Sequence, residues 1–516
     1  MPTEFRNEPL TDFGKDENRR AMAQAVAAVA ENLGQSYPML VGGEKLALPE
    51  TFASRNPSNP KEVIGVFPQG GVEQANRAIE TAHAAFEPWR RVPARERAET
   101  LFRCAETIRR RKLEFAAWMC FEAGKNWPEA DADVAEAIDF LEFYGREAIR
   151  YEDAGRVTPV AGEKNRLDYI PLGAGAVIPP WNFPLAITVG MSSAAIAAGN
   201  TVVLKPASVT PVIAWKYVEA FVAAGLPPGV LNLVTGPGGT LGNALVAHPK
   251  TRFISFTGSK ATGLHINEVA AKAQPGQLWV KRVVAEMGGK DAIVVDRDTD
   301  LDQAAQGIVA AAFGYQGQKC SACSRAILHA GVYDELLRKI VERTRTLKIG
   351  PAVDYGTDVG PVIDENAARK IMEYVEIGRR EGRLVHGGKG PEKGGGHFIE
   401  PTIFADVPPE ARISREEIFG PVLAVTRAGS FDEALAFANN TEYGLTGAVY
   451  SRDEANLEKA AREFHVGNLY LNRKCTGALV GGHPFGGFNM SGTDSKAGGF
   501  DYLLLFLQAK TISRKV

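Results

Sequence analysis

The feature that most constrains the fold is an alternation, beginning at Ala174, between short apolar runs and longer amphipathic segments. Apolar runs of this kind, bounded by turn-forming residues, are typical of strands buried on both faces of a parallel sheet. The predicted strands are 174–178, 201–204, 231–234 and 253–256, and the predicted helices between them are 185–198, 211–224 and 239–247. A second alternating set runs from 292 to about 472. The sequence therefore predicts an α/β protein with two sheet-containing lobes.

The two ends of the chain differ in pattern from this region. Apolar residues recur at helical spacing near the N-terminus, which predicts helices over 15–35, 71–89 and 94–151. At the C-terminus, residues 502–507 and 509–513 resemble strands and are very apolar for a chain end. We therefore expect a terminal strand that packs against another subunit of a homo-oligomer.

Length and charge exclude several classes of protein. A chain of 516 residues is too long for one ordinary core, and its net charge of −2 provides no electrostatic reason to bind nucleic acid or an anionic membrane. Residues 169–204 carry no charge, but prolines and Gly199 divide them into strand, loop and short helix, so no membrane span is predicted. Five scattered cysteines favour reduced thiols and a cytoplasmic location.

Two residues suggest the chemistry. Cys320 lies in the run QGQKCSACSR at 316–325, among small residues, and Glu286 lies upstream in the glycine-rich run EMGGK at 286–290. A thiolate can attack a carbonyl carbon, and a carboxylate can then activate the water that releases the product. Cys323 forms a Cys-x-x-Cys pair with Cys320, but no second pair stands at metal-ligand spacing, so no metal is predicted. The pattern predicts an enzyme with a thioester intermediate.

Glycine-rich turns give a weaker signal for a nucleotide cofactor. The runs 236–239 and 256–263 can each bring backbone N–H groups and a helix N-terminus to a phosphate, although most such turns only connect a strand to a helix. Lys205 directly follows the strand 201–204 and so belongs to the carboxyl edge of the sheet, where ligands bind in α/β folds. It is either a ribose-binding residue or an ordinary surface lysine.

Six motifs occur in a fixed order along the chain: PWNFP at 180–184, KPA at 205–207, FTGS at 256–259, EMGGK at 286–290, QKC at 318–320 and EEIFGP at 416–421. With them, the chain resembles an aldehyde dehydrogenase from about residue 35 to the C-terminus. The resemblance implies an NAD(P)-dependent enzyme with a Rossmann-like cofactor-binding lobe, an α/β catalytic lobe and a β-strand oligomerisation flap. The implied divisions are an NAD-binding domain (1–148 and 169–285), a catalytic domain (286–497) and oligomerisation strands (149–168 and 498–516).

The resemblance also implies the role of individual residues. Cys320 is the expected nucleophile, Glu286 the base, and Asn182 forms the oxyanion hole with the backbone N–H of Cys320. The residues implied for NAD are Lys205 at the adenosine ribose, Ile178 and Gly238 beside the adenine, Ser259 at the pyrophosphate, and Glu417 with Phe419 at the nicotinamide ribose.

Ser208 departs from the pattern of many NAD-dependent members, which carry an acid at this position. An acid would bond the ribose hydroxyls and repel the 2′-phosphate of NADP, whereas a serine repels nothing. We therefore expect NAD to be used and NADP to be tolerated.

Local features resemble the branch of the family that oxidises L-glutamate γ-semialdehyde, the open form of 1-pyrroline-5-carboxylate, to L-glutamate in proline degradation. These features are the residues flanking Cys320 and the segments 133–140 and 472–480. The residues implied for binding this substrate are Glu136, Phe183, Lys319, Ser321, Gly477, Ala478 and Phe485.

The chemistry of the substrate is compatible with these residues. Backbone N–H groups of Gly477 and Ala478 can bind the α-carboxylate, with a hydroxyl from Ser321 and a charge from Lys319. Phe183 and Phe485 are expected to hold the aliphatic spacer, and Glu136 to lie near the ammonium group. The alternative interpretations are that Glu136 is an acid on the surface of its helix and that Phe485 contributes only to packing.

Other functions are weaker candidates. Another carboxylated aldehyde such as succinate semialdehyde is the nearest alternative substrate, and the loop 476–478 argues against it. A reductase of acyl phosphates would not need Glu286, and an inactive relative would not need the complete set of Cys320, Glu286 and Asn182. The length leaves no room for a proline-oxidising domain, so we expect functional coupling to a separate proline dehydrogenase.

Overall fold

The computed structural model describes residues 4–152 and 155–516. The expected domain segments 1–148 and 149–168 therefore include positions that lie outside the described residues. Within the described part of the chain, the strands form two seven-stranded sheets, one three-stranded sheet and two strand pairs. Both predicted sheet-containing lobes are thus present.

The first large sheet contains the four strands predicted after Ala174. In spatial order its strands are Arg282–Glu286, Phe253–Thr257, Ala174–Ile178, Thr201–Leu204, Leu231–Leu233, Met39–Val41 and Glu44–Leu46. The first five are mutually parallel, and the last two form an antiparallel edge. The parallel strands bring their carboxyl ends, including Ile178 and Glu286, to one edge of the sheet.

The second large sheet is built from the second alternating set. Its strands, in spatial order, are Arg383–His386, Thr402–Ala405, Val422–Ala428, Arg325–His329, Ala292–Val295, Thr446–Tyr450 and Asn468–Leu471. All pairs are parallel except the first. The remaining strands are Gln35–Ser36, Thr51–Asn56, Asn59–Pro68, Glu163–Pro171, Tyr443–Gly444, Phe488–Asn489 and Leu507–Lys515.

Both large sheets are buried on two faces, as the continuous apolar runs predict. In the first sheet, Val202 and Val203 belong to different core clusters because successive side chains point to opposite faces. In the second sheet, Ile293 and Val294 divide in the same way.

Helices cover these faces. Those around the first sheet are Asp16–Ala30, Val72–Trp89, Ala94–Arg110, Lys112–Ala123, Trp127–Glu152, Ala186–Ala197, Pro211–Ala223, Asn243–Ala247 and Lys260–Ala271. Those around the second are Leu301–Phe313, Tyr333–Arg345, Glu365–Glu381, Arg412–Arg415, Phe431–Asn439 and Glu454–Glu463. The predicted helical region 94–151 is divided into three helices by breaks at Arg111 and at Gly124, which has a positive φ of 66°. None of the helices in the described residues has the length and apolarity needed to cross a membrane.

The C-terminal prediction is partly wrong. Residues Tyr502–Phe506 form a short 3₁₀ helix, not a strand, and its residues Tyr502, Leu503 and Phe506 pack into the main core. A short apolar run does not distinguish a strand from a buried helical turn. The strand that follows, Leu507–Lys515, pairs in antiparallel register with Glu163–Pro171.

Candidate active site

The candidate site lies where the chain crosses from one large sheet to the other. Glu286 is the last residue of the edge strand Arg282–Glu286 of the first sheet, and Ala292 begins a central strand of the second. Five residues, 287–291, therefore connect the two lobes, and together with Glu286 they contain the EMGGK motif. This crossing places the predicted base between the lobe with the cofactor motifs and the lobe with the predicted nucleophile.

The loop that carries Cys320 has a strained backbone. Tyr315 and Gln316 have φ values of 50° and 56°, a conformation that costs energy for residues other than glycine. Long-range hydrogen bonds hold it: Tyr315 donates to the carbonyl of Ala123 at 2.8 Å, and the Gln316 amide donates to the carbonyls of Gly124 and Pro361 at 3.1 and 2.7 Å. The nucleophile loop is thereby fixed against the first lobe.

The predicted oxyanion-hole residue contacts the same loop. Asn182 is buried, and its Nδ2 donates to the carbonyl of Gln318 at 3.0 Å. A side-chain amide has two N–H donors, so one remains to face a developing oxyanion. Trp181 also packs its ring edgewise on Phe419, with centroids 5.4 Å apart. Two motifs distant in sequence, PWNFP and EEIFGP, therefore meet beside the nucleophile.

Burial and negative charge dominate the electrostatics of the nucleophile. Burial raises the pKa of the half-buried Cys320 thiol, and the charges of Asp291, Glu417 and Glu286 raise it further. The backbone N–H of Ser321 acts in the opposite direction. The thiol is therefore protonated at rest, and a thiolate requires compensation of the surrounding negative charge.

The predicted base is also protonated at neutral pH in the resting protein. Burial raises the pKa of Glu286 to about 8. The Ser495 hydroxyl donates to its Oε1, and the N–H of Gly487 donates to its Oε2 at 3.4 Å. Sequence reasoning singled out neither Ser495 nor Gly487, because both lie about two hundred positions further along the chain.

The residues expected to bind NAD surround the carboxyl edge of the first sheet. Ile178 ends its strand opposite Phe256, and Lys205 directly follows the neighbouring strand. Lys205 is 5 % exposed, so the surface-lysine interpretation is wrong. Among the described residues, its ammonium donates only to the adjacent Pro206 carbonyl, at 3.1 Å, and burial lowers its pKa to about 8. A buried ammonium with so few partners is suited to bonding hydroxyls of a ligand.

The other cofactor residues lie on turns of the same region. Gly238 begins the helical turn Gly238–Gly242, and Ser259 is the N-cap of the helix Lys260–Ala271, accepting from the N–H of Thr262 at 3.3 Å. Ser208 is exposed. The free N–H groups of a helix N-terminus favour an anionic group such as a pyrophosphate.

Glu417 and Phe419 come from the second lobe. Glu417 accepts from the N–H of Gly289 at 3.1 Å, and a Cβ on Gly288 would lie 2.3 Å from the Glu417 carboxylate. A side chain at 288 would therefore displace the Glu417 carboxylate from this position. Phe419 has a positive φ of 61°, and its ring packs edgewise against Trp181.

The loop expected to bind the substrate carboxylate has backbone N–H groups that are available to a ligand. Gly477 has a positive φ of 82°. Its carbonyl accepts from Arg473 at 2.9 Å, and the N–H groups occupy the opposite face of the loop. Among residues 4–152 and 155–516, no acceptor bonds the N–H of Gly477 or Ala478, and the buried Thr476 hydroxyl has no partner. Successive free N–H groups of this kind form a binding site for a small anion.

Charged residues of the helix Trp127–Glu152 face the other side of the substrate region. Lys319 donates to Glu129 at 2.6 Å, so its charge is paired with an acid that sequence reasoning missed. Glu136 is half-buried, and its pKa is raised to about 8, first by burial and then by the charge of Asp133. The spacing of 129, 133 and 136 on one helix face is the signal that could have identified this acidic stripe.

The remaining predicted substrate residues lie in the same region. Phe183 is half-buried, with the fully buried ammonium of Lys125 3.9 Å from its ring centroid. Lys125 forms an ion pair with Asp133 at 3.0 Å and was also missed by sequence reasoning. Ser321 is buried, and its carbonyl accepts from the Cys475 thiol at 3.3 Å. Phe485 exchanges backbone hydrogen bonds with Ala497.

A family model supports the class of protein that this site suggests. The model described as "Aldehyde dehydrogenase family" matches residues 45–512, and the chain belongs to that family. Among its relatives, the 1-pyrroline-5-carboxylate dehydrogenase of Geobacillus kaustophilus is 58 % identical over 99 % of both chains. The crystal structure of 1-pyrroline-5-carboxylate dehydrogenase from Thermus with bound NAD is 52 % identical over the whole of both chains, with a TM-score of 0.98. The predicted family and fold class are confirmed.

A third similar protein is larger than this chain. Proline utilization A from Bdellovibrio bacteriovorus, in a crystal structure of the enzyme inactivated by N-propargylglycine, is 42 % identical with a TM-score of 0.97. The match covers all of this chain and 54 % of that one. A protein of this fold is therefore also found as part of a longer polypeptide.

Proposed function

We propose that this protein oxidises L-glutamate γ-semialdehyde, in equilibrium with 1-pyrroline-5-carboxylate, to L-glutamate with reduction of NAD. The observation that carries the proposal is a thiol, a carboxylic acid and an amide donor, Cys320, Glu286 and Asn182, on segments that meet between the two sheets. The names of relatives 52–58 % identical over nearly the whole chain support the substrate. The reaction belongs to proline degradation.

In the first half of the reaction, the Cys320 thiol loses its proton to solvent, and the resulting thiolate attacks the aldehyde carbon. The resulting oxyanion accepts from the second N–H of Asn182 and from the backbone N–H of Cys320, whose positions are fixed before the reaction. Because the loop is held by hydrogen bonds to Ala123, Gly124 and Pro361, this geometry costs little reorganisation. Loss of a hydride from the sulfur-bound carbon leaves a γ-glutamyl thioester on Cys320.

The residues present fit NAD, which accepts the hydride when it is bound. Lys205 has a buried ammonium with hydrogen-bonding capacity left over, and the helix that begins after Ser259 offers N–H groups to a pyrophosphate. We expect Glu417, which accepts from the N–H of Gly289, to bond ribose hydroxyls. Ile178 and Gly238 complete the proposed adenine side, and Phe419 the nicotinamide side.

The second half of the reaction depends on Glu286. Its carboxylate takes a proton from water while the water oxygen attacks the thioester carbon, and glutamate leaves as the thiolate is restored. Because burial raises its pKa to about 8, the fraction of Glu286 in the active, ionised form increases with pH and has its midpoint near that value. We expect hydrolysis of the thioester to become faster over the same range.

The proposed substrate pocket explains the preference for an amino acid aldehyde. The free N–H groups of Gly477 and Ala478 bind the α-carboxylate, with Ser321 beside them. Phe183 and Phe485 contact the aliphatic spacer, and the acidic stripe that includes Glu136 favours the ammonium group. Lys319 acts through its ion pair with Glu129. Succinate semialdehyde has a carboxylate but no ammonium group, so it would make no polar contact with Glu136, while Glu129 and Asp133 keep their ion pairs with Lys319 and Lys125.

The wider setting of the enzyme is part of the proposal. The large protein matched in part by this chain is named for proline utilization, which supports functional coupling to a proline dehydrogenase. The antiparallel pair of strands Glu163–Pro171 and Leu507–Lys515 is the proposed oligomerisation element, with 286–497 as the catalytic domain. Five cysteines without disulfide bonds agree with a cytoplasmic location.

Rates of NADH formation with 1-pyrroline-5-carboxylate, succinate semialdehyde and a simple aliphatic aldehyde test the substrate. We expect kcat/KM for the first to exceed the others by at least about tenfold, or ~1.4 kcal/mol of transition-state discrimination. Equal rates, or a preference for another aldehyde, would still agree with an aldehyde dehydrogenase but would contradict the glutamate assignment.

A further inference from the structure

The general base has an unusual set of contacts on one short segment. Phe485 and Ala497 exchange backbone hydrogen bonds at 2.8 Å, so the segment between them folds back on itself. This brings Gly487 and Ser495 to the two oxygens of the Glu286 carboxylate: the Ser495 hydroxyl donates to Oε1 and the Gly487 N–H to Oε2. Both oxygens of the base are therefore bonded by donors from outside its own strand.

Lys496, the residue after Ser495, acts on Glu286 indirectly, through the backbone. Its ammonium donates to the carbonyls of Gly486 and Gly467, each at 2.6 Å. The carbonyl of Gly486 and the N–H of Gly487 belong to one peptide group. A positive charge on the carbonyl side of a peptide polarises it and strengthens its N–H as a donor. Lys496 therefore reaches Glu286 through the Gly486–Gly487 peptide.

The packing around the base leaves little freedom for this arrangement. A Cβ on Gly486 would lie 1.6 Å from the carbonyl oxygen of Ser495 and 2.9 Å from Oε1 of Glu286. A Cβ on Gly492 would lie 3.1 Å from Oε2. Glycine at these positions lets the backbone pack closely around the Glu286 carboxylate. The surrounding backbone therefore holds the two donors, Ser495 and Gly487, in place.

The charged and titratable groups facing Glu286 come from several elements. Lys496 favours its ionised form, whereas Asp494 disfavours it. The Cys320 thiol and the Tyr502 phenol also lie close enough to Glu286 for its charge to raise the pKa of each. Burial raises the pKa of Glu286, and Ser495, Gly487 and Lys496 are the groups that lower it.

We propose that Ser495 and Lys496 are positioning residues for hydrolysis of the thioester, Ser495 through its hydroxyl and Lys496 through the Gly486–Gly487 peptide. The proposal rests on the proposed role of Glu286 as base. In this step a water O–H bond breaks, its proton passes to Glu286, and the water oxygen bonds to the acyl carbon. The C–S bond then breaks, releasing the carboxylic acid and the Cys320 thiolate. The two positioning residues fix where that proton is accepted and how readily the base is ionised.

The test uses an acyl group that requires neither the cofactor nor the semialdehyde. p-Nitrophenyl acetate acetylates a reactive thiol and releases nitrophenolate, and the acetyl-enzyme then decays by hydrolysis. Its decay is followed as a function of pH by intact-mass spectrometry in the wild type, Ser495→Ala, Lys496→Met and Lys496→Arg. Thr493→Val is the matched control, because the Thr493 hydroxyl bonds the backbone of Ala285 rather than the base.

We expect Ser495→Ala and Lys496→Met to slow decay of the acetyl-enzyme about tenfold at neutral pH and to move its pH midpoint upward. The nitrophenolate burst should keep its amplitude, which also shows that the variants are folded. Lys496→Arg, which retains the charge, should stay closer to the wild type than Lys496→Met. Thr493→Val should leave rate and midpoint unchanged.

Two results would overturn the proposal. One is an unchanged pH midpoint in both Ser495→Ala and Lys496→Met; the other is an equal change in Thr493→Val, which would indicate a general effect of the segment. The substrate assignment fails separately: a wild type that hydrolyses its acetyl group but does not oxidise the semialdehyde contradicts the proposed substrate alone. Absence of an acetyl-enzyme in the wild type would overturn the role of Cys320 and, with it, this inference.

Discussion

The two sides of the candidate site are constructed differently. On the proposed cofactor side, Ile178 and Lys205 end or follow neighbouring parallel strands of one sheet. On the proposed substrate side, contacts join distant parts of the chain: Lys319 and Glu129 are 190 positions apart, and Glu286 and Ser495 are 209 apart. A regular sheet determines most of the first side, whereas packing between the two lobes determines the second.

This difference has a consequence for energetics. Residues at strand ends are positioned by the backbone hydrogen bonds of the sheet and do not depend on one another's side chains. Residues that depend on interlobe ion pairs and buried carboxylates are coupled, because removing one partner leaves the other desolvated and unpaired. Substitutions on the substrate side should therefore leave NAD binding intact.

The strongest test of this separation is Cys320→Ala. Turnover should fall by more than about 10⁴-fold, the scale observed when the nucleophile of an acyl-enzyme mechanism is removed. NAD affinity, measured by calorimetry, should stay within about threefold of the wild type. Cys323→Ala is the control: this buried thiol donates to the Arg325 carbonyl and interacts with the Cys475 thiol, so turnover should persist. A large loss of NAD affinity in Cys320→Ala would contradict the independence of the two sides.

Asn182→Ala tests the oxyanion hole, which lies between the two sides. Loss of one such donor typically lowers the rate by about 10²–10³-fold. Because Asn182 also holds the carbonyl of Gln318, the nucleophile loop loses a contact as well. We expect the NADH burst itself to become slow, measured by stopped flow, with the steady rate limited by acylation. A burst of normal rate followed by slow turnover would place Asn182 in hydrolysis instead.

The same contrast explains how much of the molecule the sequence could predict. Alternating apolar runs predicted strands such as Ala174–Ile178 and Thr201–Leu204 with the correct bounds, because burial on both faces leaves a local signature. Lys205 followed from its position after a strand. The 3₁₀ helix Tyr502–Phe506 was missed because a short apolar run has the same composition in either structure.

Long-range partners could not be obtained in this way. Nothing near Glu286 in the sequence indicates Ser495, and the fully buried ammonium of Lys125 is preceded only by a helix-ending glycine. Such contacts arise from the relative placement of the two lobes, which no local pattern encodes. The acidic stripe of Glu129, Asp133 and Glu136 is the exception, since its helical spacing is visible in the sequence.

The ion pair between Lys319 and Glu129 tests coupling on the substrate side. Burial opposes ionisation of Glu129, but the charges of Lys319 and Lys125 outweigh it and lower its pKa. In a double-mutant cycle of Lys319→Met and Glu129→Gln, we expect a coupling of about 2 kcal/mol in the free energy of unfolding, measured by denaturant titration. Each single variant should also raise KM for the semialdehyde.

The exposed pair Arg338 and Glu342 provides the matched control for that cycle. Its side chains are more than half exposed, and such i, i+4 pairs contribute about 0.3–0.5 kcal/mol. Equal coupling in the two cycles would mean that the interlobe pair is no more than a surface contact. The substrate side would then lose the property that distinguishes it from the cofactor side.

The smallest expected effect concerns Ser208, on the cofactor side. Ser208 is exposed and carries no charge to repel a 2′-phosphate, so the wild type should prefer NAD over NADP by less than about a thousandfold, or ~4 kcal/mol. Ser208→Glu should raise that preference about tenfold by repulsion, measured as the ratio of kcat/KM values. Ser208→Gln, similar in size but neutral, is the control and should leave the ratio nearly unchanged.

Salt distinguishes repulsion from shape at this position. Repulsion between exposed charges is screened at high ionic strength, so the added preference in Ser208→Glu should shrink as salt rises from about 0.05 to 0.5 M. An equal change in Ser208→Gln, independent of salt, would mean that side-chain size excludes NADP. The position of Ser208 depends on the edge of the sheet and not on packing between the two lobes. KM for the semialdehyde should therefore not change in either variant. A change in that KM would show that the two sides are coupled after all.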